Sequence, residues 1–197
     1  MDRNVNVPAR TKRFEDCIAE REGMWRWQEH AQPVERTVDA ICTALRKHGR
    51  VYFFGNGGSA AQAQHLAAEL SGRFLLDREP WAGLALSVDT SALTAIANDY
   101  GFENVFARQL AGLVQPGDVA VGLTTSGASA NVIEALRVAR ARRAVTIAFT
   151  GNGGGPVLQY ADIALVGPDG PSWKVQEVHL ALGHIVCELV ELALAGS

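Results

Sequence analysis

Beyond Gly49, hydrophobic residues gather in short unbroken runs at 51–54, 84–88, 119–123, 145–149 and 163–166, and stretches of helical composition separate them. A strand with one wet face alternates apolar and polar residues, whereas a strand covered on both faces reads as continuous apolar sequence. Five such runs alternating with helices predict a parallel sheet between two helical layers, a three-layer doubly wound α/β fold. Ahead of the sheet, residues 10–48 carry helix-favouring composition. Pro33 is read as starting a second helical segment and Gly49 as closing it. A glycine cluster at 151–155 reads as a loop feeding a short helix, and a long helix is expected from about 172 to 194.

A chain of 197 residues suffices for one domain with a substantial core. The expected organisation is a single unit over 1–197, with a helical extension to about 49 and a sheet core with terminal helix from about 50. A net charge of −3 gives no global pull toward nucleic acid or anionic lipid, so neither is an expected partner. Any anionic ligand must be held locally. Cys17, Cys42 and Cys187 are odd in number and widely spaced, which argues against a disulfide framework or a cysteine metal site. The first 22 residues stay polar and lack the apolar stretch of a secretory signal, and the compartment is read as cytoplasmic. The apolar segment at 180–195 is interrupted by His184, Glu188 and Glu191, which fits a buried helix better than a membrane span.

Two loops carry candidate chemistry. After the first strand come Gly55, Asn56, Gly57, Gly58 and Ser59, followed by a helical run. Glycines let backbone approach a ligand, and a helix start offers unpaired N–H groups and the positive end of its dipole to an anion. Alone, this loop fits a plain strand-to-helix turn equally well, and Gly55, Gly57 and Ala60 also satisfy the loose dinucleotide pattern. After the third strand come Thr124, Thr125, Ser126, Gly127, Ala128 and Ser129, four hydroxyls at another helix entrance. Ser129 is placed to cap that helix, but one cap accounts for only one hydroxyl. In the flavodoxin-like order 2-1-3-4-5, strands one and three are neighbours at the topological switch point, so both loops face one crevice.

Together these loops resemble the sugar isomerase (SIS) domain. The stretches Gln64-His65-Leu66-Ala67-Ala68-Glu69-Leu70, Ala97-Asn98-Asp99-Tyr100-Gly101-Phe102 and Gln176-Glu177-Val178-His179 through His184 look like its sedoheptulose 7-phosphate isomerase branch. The resemblance implies an aldose–ketose isomerase making D-glycero-D-manno-heptose 7-phosphate through an enediol. It also implies a homotetramer with active sites shared between subunits. Glu69 and His184 would be the acid–base pair, and His65, Glu69, Gln176 and His184 would hold one zinc. Ser59, Thr124, Thr125, Ser126 and Ser129 would grip the phosphate beside Gly57 and Gly58, with Asn56, Asp99 and Gln176 also facing the sugar. Ala128 and Trp173 depart from the family pattern, which bears on substrate choice rather than reaction type.

Residues 65 and 69 are four apart and share a helix face. Gln176 and His184 are eight apart, about 12 Å along a straight helix, too far to bind one metal comfortably. Either a neighbouring chain completes each site or Gln176 precedes the settled helix. The apolar terminal helix favours the former, and composite sites are expected. His30, His48 and His179 are read as structural, and Trp25 and Trp27 as packing. The competing reading is a non-catalytic SIS module, a phosphosugar-sensing regulator or protein-binding adaptor, against which the pairing of Glu69 with His184 argues. A nucleotide-dependent oxidoreductase is the third class considered.

Overall fold

The computed structural model describes residues 13–195. Two helices lead, α1 (Phe14–Glu22) and α2 (Trp27–Arg46). Then follow β1 (Val51–Gly55), α3 (Gly58–Ser71), β2 (Gly83–Ala85), α4 (Thr90–Tyr100), α5 (Ala107–Leu113), β3 (Val119–Thr124), α6 (Ala130–Ala141), β4 (Val145–Thr150), β5 (Ile163–Val166) and α7 (Ser172–Ala195). Short 3-10 turns at Phe102–Asn104 and Pro156–Tyr160 complete the connections.

All five strands pair in parallel in the order β2-β1-β3-β4-β5, the doubly wound arrangement the apolar runs predict. Successive side chains of a strand point to opposite faces, and both faces here are covered. Phe53, Val121, Leu123, Ile147 and Phe149 join the core packed by α2, α3 and α7. Tyr52, Phe54, Ala120 and Ala148 join the core packed by α5 and α6, with Leu93 and Ile96 of α4 against its edge.

Two expectations are corrected. Pro33 does not start a helix: α2 begins at Trp27 and runs through it. Proline forfeits one backbone bond there, but Val34, Thr37, Ile41 and Leu45 recur at helical spacing and bury against the sheet, so packing outweighs the break. The second strand covers only 83–85 rather than 84–88. It is an edge strand, paired to β1 alone. After Leu86 donates to the Phe53 carbonyl, the chain turns toward Asp89, whose carboxylate caps α4 by accepting from Ala92 N. The first leading helix begins at Phe14, so residues 10–12 of the expected span lie outside the described residues.

Helix α7 has the length and apolarity of a membrane span, yet Val178, Leu182, Val186, Cys187 and Val190 are core residues against the sheet. It runs beside α3 in the same direction. Gly58 at the start of α3 lies under the Gln176 side chain, where an added Cβ would come within 2.7 Å of the amide. Further along, Gly183 faces Leu66, and a Cβ there would meet the leucine methyls at 2.6 Å.

His179, on α7, is fully buried; Nε2 pairs with the Thr150 carbonyl at 2.8 Å, and the ring meets Phe149 edge-on. Burial favours the neutral imidazole and pushes its pKa from 6.5 down to about 4, against the opposing pull of the Thr150 carbonyl. Burial also lowers the pKa of nearby His30. In that window the folded chain binds fewer protons than the unfolded one, so stability is complete above pH 6.5 and is lost as pH falls toward 4. Denaturant unfolding should show a loss of about 1.4 kcal/mol per pH unit from this side chain, and His179→Gln should flatten the acid limb.

Candidate active site

The two glycine- and hydroxyl-bearing loops leave adjacent strands. Gly55 of β1 is in register with Leu123 of β3, so residues 56–59 and 125–129 emerge side by side at the C-terminal edge of the sheet. They are tied directly. Asn56 Nδ2 donates to Asn131 Oδ1 and Asn131 Nδ2 donates back to Asn56 Oδ1, both at 2.8 Å. Asn56 is thereby turned onto its neighbouring loop, and each amide keeps one N–H and one acceptor lone pair for further bonding.

Ser59 sits in the first turn of α3 with only 3% of its surface exposed. Ser129 occupies the N-cap position of α6 but makes no side-chain cap bond; its hydroxyl pairs with Thr124 Oγ1 at 2.9 Å. The expected cap is therefore replaced by a hydroxyl pair. Thr125 Oγ1 donates to Ser172 Oγ at 3.1 Å, and Ser126 Oγ accepts from Ala128 N at 3.2 Å. Gly127 has φ +66, and a Cβ on it would fall 2.0 Å from the Gly154 carbonyl, so the 151–155 loop packs directly beneath this turn. Asn152 Nδ2 also donates to the Thr125 carbonyl. The loops thus form a hydroxyl- and amide-lined cradle, buttressed from below.

A second cluster lies farther along the α3–α7 seam. His65 Nε2 and His184 Nε2 are 2.8 Å apart, and His65 Nε2 is 3.2 Å from Glu69 Oε1. The ligand atoms of all three side chains lie within 4.8 Å of one another. Glu69 is mostly buried, with 18% of its side chain exposed, while His65 is 47% exposed. The Phe74 ring packs on His184, their centroids 5.8 Å apart. This arrangement needs no second chain: α3 supplies two members and α7 the third.

Gln176 does not join that cluster within the chain. Residue 176 is fully helical in α7, which removes the reading that it precedes the settled helix. Its side chain rests on Gly58, at the cradle end of α3, and its carbonyl accepts from Gln62 Nε2 at 2.6 Å. Asp99 lies exposed near the end of α4, where its carboxylate accepts from Asn98 Nδ2; among the described residues it makes no hydrogen bond to either loop. Trp173 serves a different purpose. The Arg21 guanidinium stacks 4.2 Å above its ring and bonds Glu177, docking α1 on the start of α7. Asn131, Ser172 and Phe74 are site neighbours that sequence reasoning did not single out. A polar asparagine in the first turn of α6, two residues past Ser129, is a signal for the first; the others depend on packing.

The family model for the SIS domain matches residues 22–151. The phosphoheptose isomerase of Aquifex aeolicus (strain VF5) is 52% identical over 162 residues, which span 82% of this chain and 85% of the relative. That of Akkermansia muciniphila is 51% identical over 160 residues, 81% of this chain and 85% of the relative. Among solved structures, the phosphoheptose isomerase GmhA from Neisseria gonorrhoeae superposes with a TM-score of 0.78 at 41% identity, covering 88% of this chain and 90% of that one. The Vibrio vulnificus NanR protein complexed with ManNAc-6P shares the fold alone, at 17% identity and a TM-score of 0.61 over 84% of this chain and 56% of that one. A switch-point cradle, a carboxylate clustered with two imidazoles and relatives this similar lead to one conclusion: the chain belongs to the SIS domain family, among its phosphoheptose isomerases, and is a phosphosugar isomerase.

Proposed function

We propose that the enzyme interconverts sedoheptulose 7-phosphate and D-glycero-D-manno-heptose 7-phosphate through an enediol. The observation that carries this reading is the convergence of His65, Glu69 and His184 on a helix that begins at the anion cradle. In the ketose-to-aldose direction, Glu69 removes a proton from C1 while the carbonyl oxygen on C2 gains one, giving the enediol. Return of a proton to C2 and loss of the C1 hydroxyl proton then leave the aldehyde. His184 carries the proton between the two oxygens.

His65, Glu69 and His184 also suit zinc. Two imidazoles and a carboxylate, with their ligand atoms within 4.8 Å, form the donor set of a catalytic zinc with a position left for substrate. Bound there, zinc would polarise the sugar carbonyl. A carboxylate bound to a cation is a weaker base, so Glu69 fills one role at a time.

From Gly58 to Glu69 the helix rises about 16 Å at 1.5 Å per residue, farther than an extended heptose phosphate reaches. That span favours a site completed by a neighbouring chain over one built within a single chain. A homotetramer that brings a neighbour's cradle to each cluster, and the neighbour's Gln176 with it, resolves the distance. Exposed apolar side chains such as Phe14 (75%), Val88 (62%) and Phe102 (61%) supply surface for such contacts. We further propose that residues 1–197 act as one unit, in the cytoplasm, without nucleic-acid or membrane partners.

Incubation with sedoheptulose 7-phosphate, followed by NMR, should reveal the aldose 7-phosphate. Glu69→Gln should lower turnover at least about a hundredfold while the oligomer persists; full activity would end the base assignment. Metal analysis should find zinc in the wild type and a depleted content in His65→Ala. Turnover by zinc-free protein at the wild-type rate would make the ion incidental. Mixing inactive Glu69→Gln chains with inactive Ser126→Asp chains should restore about a quarter of the activity if cradle and cluster come from different subunits. No recovery would place both in one chain.

A further inference from the structure

We infer that Arg78 and Glu191 are positioning residues for isomerisation: they fix the end of α3 that carries Glu69 and hold Phe74 against His184. The inference rests on the reading that His65, Glu69 and His184 form the reacting centre.

Glu191 lies two turns beyond His184 on the same side of α7. Its side chain is 2% exposed, yet its carboxylate is saturated. Oε1 accepts from Phe74 N at 3.1 Å and Arg78 Nε at 2.9 Å, and Oε2 accepts from Leu75 N at 2.7 Å and Leu76 N at 2.8 Å. Burial alone would raise its pKa, but the three amides and the guanidinium outweigh burial and hold it below the ordinary carboxylate value. Glu191 therefore gathers the start of the 72–82 loop onto α7, and with it the Phe74 ring that touches His184.

Arg78 completes the bracket on the other helix. It is 5% exposed, and its guanidinium is 3.5 Å from the Trp81 ring centroid. Nη2 donates to the Glu69 carbonyl at 2.8 Å, and Nη1 donates to those of Leu70 at 3.1 Å, Glu79 at 3.1 Å and Gly72 at 3.4 Å. The last carbonyls of a helix have no partners within it, and a cation there also complements the dipole. One side chain thus links Glu191 on α7 to the backbone of Glu69 itself. Buried ion pairs seldom stabilise more than apolar side chains of the same volume, which points to imposed geometry as the contribution of this one. The planar fork of arginine aims five donors in fixed directions; lysine keeps the charge and three donors but not the fork.

The test measures kcat and KM of the full chain for Arg78→Lys, Arg78→Ala and Phe74→Leu beside Glu69→Gln, with circular dichroism and sizing to confirm fold and assembly. Arg78→Lys should lose at least about tenfold in kcat, since small misplacements at a reacting centre cost that much. KM should stay within about twofold because the cradle is untouched. Millimolar guanidinium should restore activity to Arg78→Ala, and Phe74→Leu should lower kcat in the same direction. A folded Arg78→Lys with wild-type kcat overturns the inference. So does a loss shared equally by kcat and KM without guanidinium rescue, which marks general loosening. Should Arg78→Ala not fold, Arg78→Lys and Phe74→Leu decide alone. Full activity in Glu69→Gln would instead refute the underlying reading of the centre.

Discussion

The close parallel contact between α3 and α7 is the constraint on which the site depends. Two residues without side chains, Gly58 on one helix and Gly183 on the other, let Gln176 and Leu66 occupy space that a Cβ would claim. The helices then meet along their length, and His184 arrives 2.8 Å from His65. Interiors pack to crystal density and do not deform smoothly, so a spacer of one methyl at either point is felt at the imidazoles. The chemistry of the site is thus set by two absences of side chain as much as by the three ionisable groups.

The sheet supports this contact from below. Phe53, Val121 and Phe149 form the floor on which α3 and α7 lie, and the parallel strands deliver both loops to one edge. In the proposed function, anion capture and proton transfer are divided along α3: its N-terminus lies at the cradle, and its later turns carry His65 and Glu69. On that proposal the same helix would serve electrostatics at one end and acid–base chemistry at the other.

Much of this was legible from residue order. Continuous apolar runs announced a doubly covered sheet, the strand order put the glycine and hydroxyl loops side by side at the switch point, and the four-residue spacing of His65 and Glu69 placed them on one face. The eight-residue gap between Gln176 and His184 correctly separated them along α7. What escaped depends on partners distant in sequence. Pro33 reads as a break because its burial-driven compensation is tertiary, and the second strand reads too long because its edge position is set by topology. Ser129 reads as a cap because its alternative partner, Thr124, is invisible until the loop folds back. Arg78, one of four charged residues in the 72–82 loop, gives no hint that it terminates a helix and meets Glu191, 113 positions away.

The reciprocal amide clasp between Asn56 and Asn131 bears on how the cradle meets its ligand. Each side chain gives the other a donor and an acceptor, so the two loops keep their spacing with no anion between them. In the proposed function, the disorder that a loose pair of loops would surrender on capture is already surrendered when the chain folds, which would leave the binding energy of a phosphate for orienting the rest of the sugar.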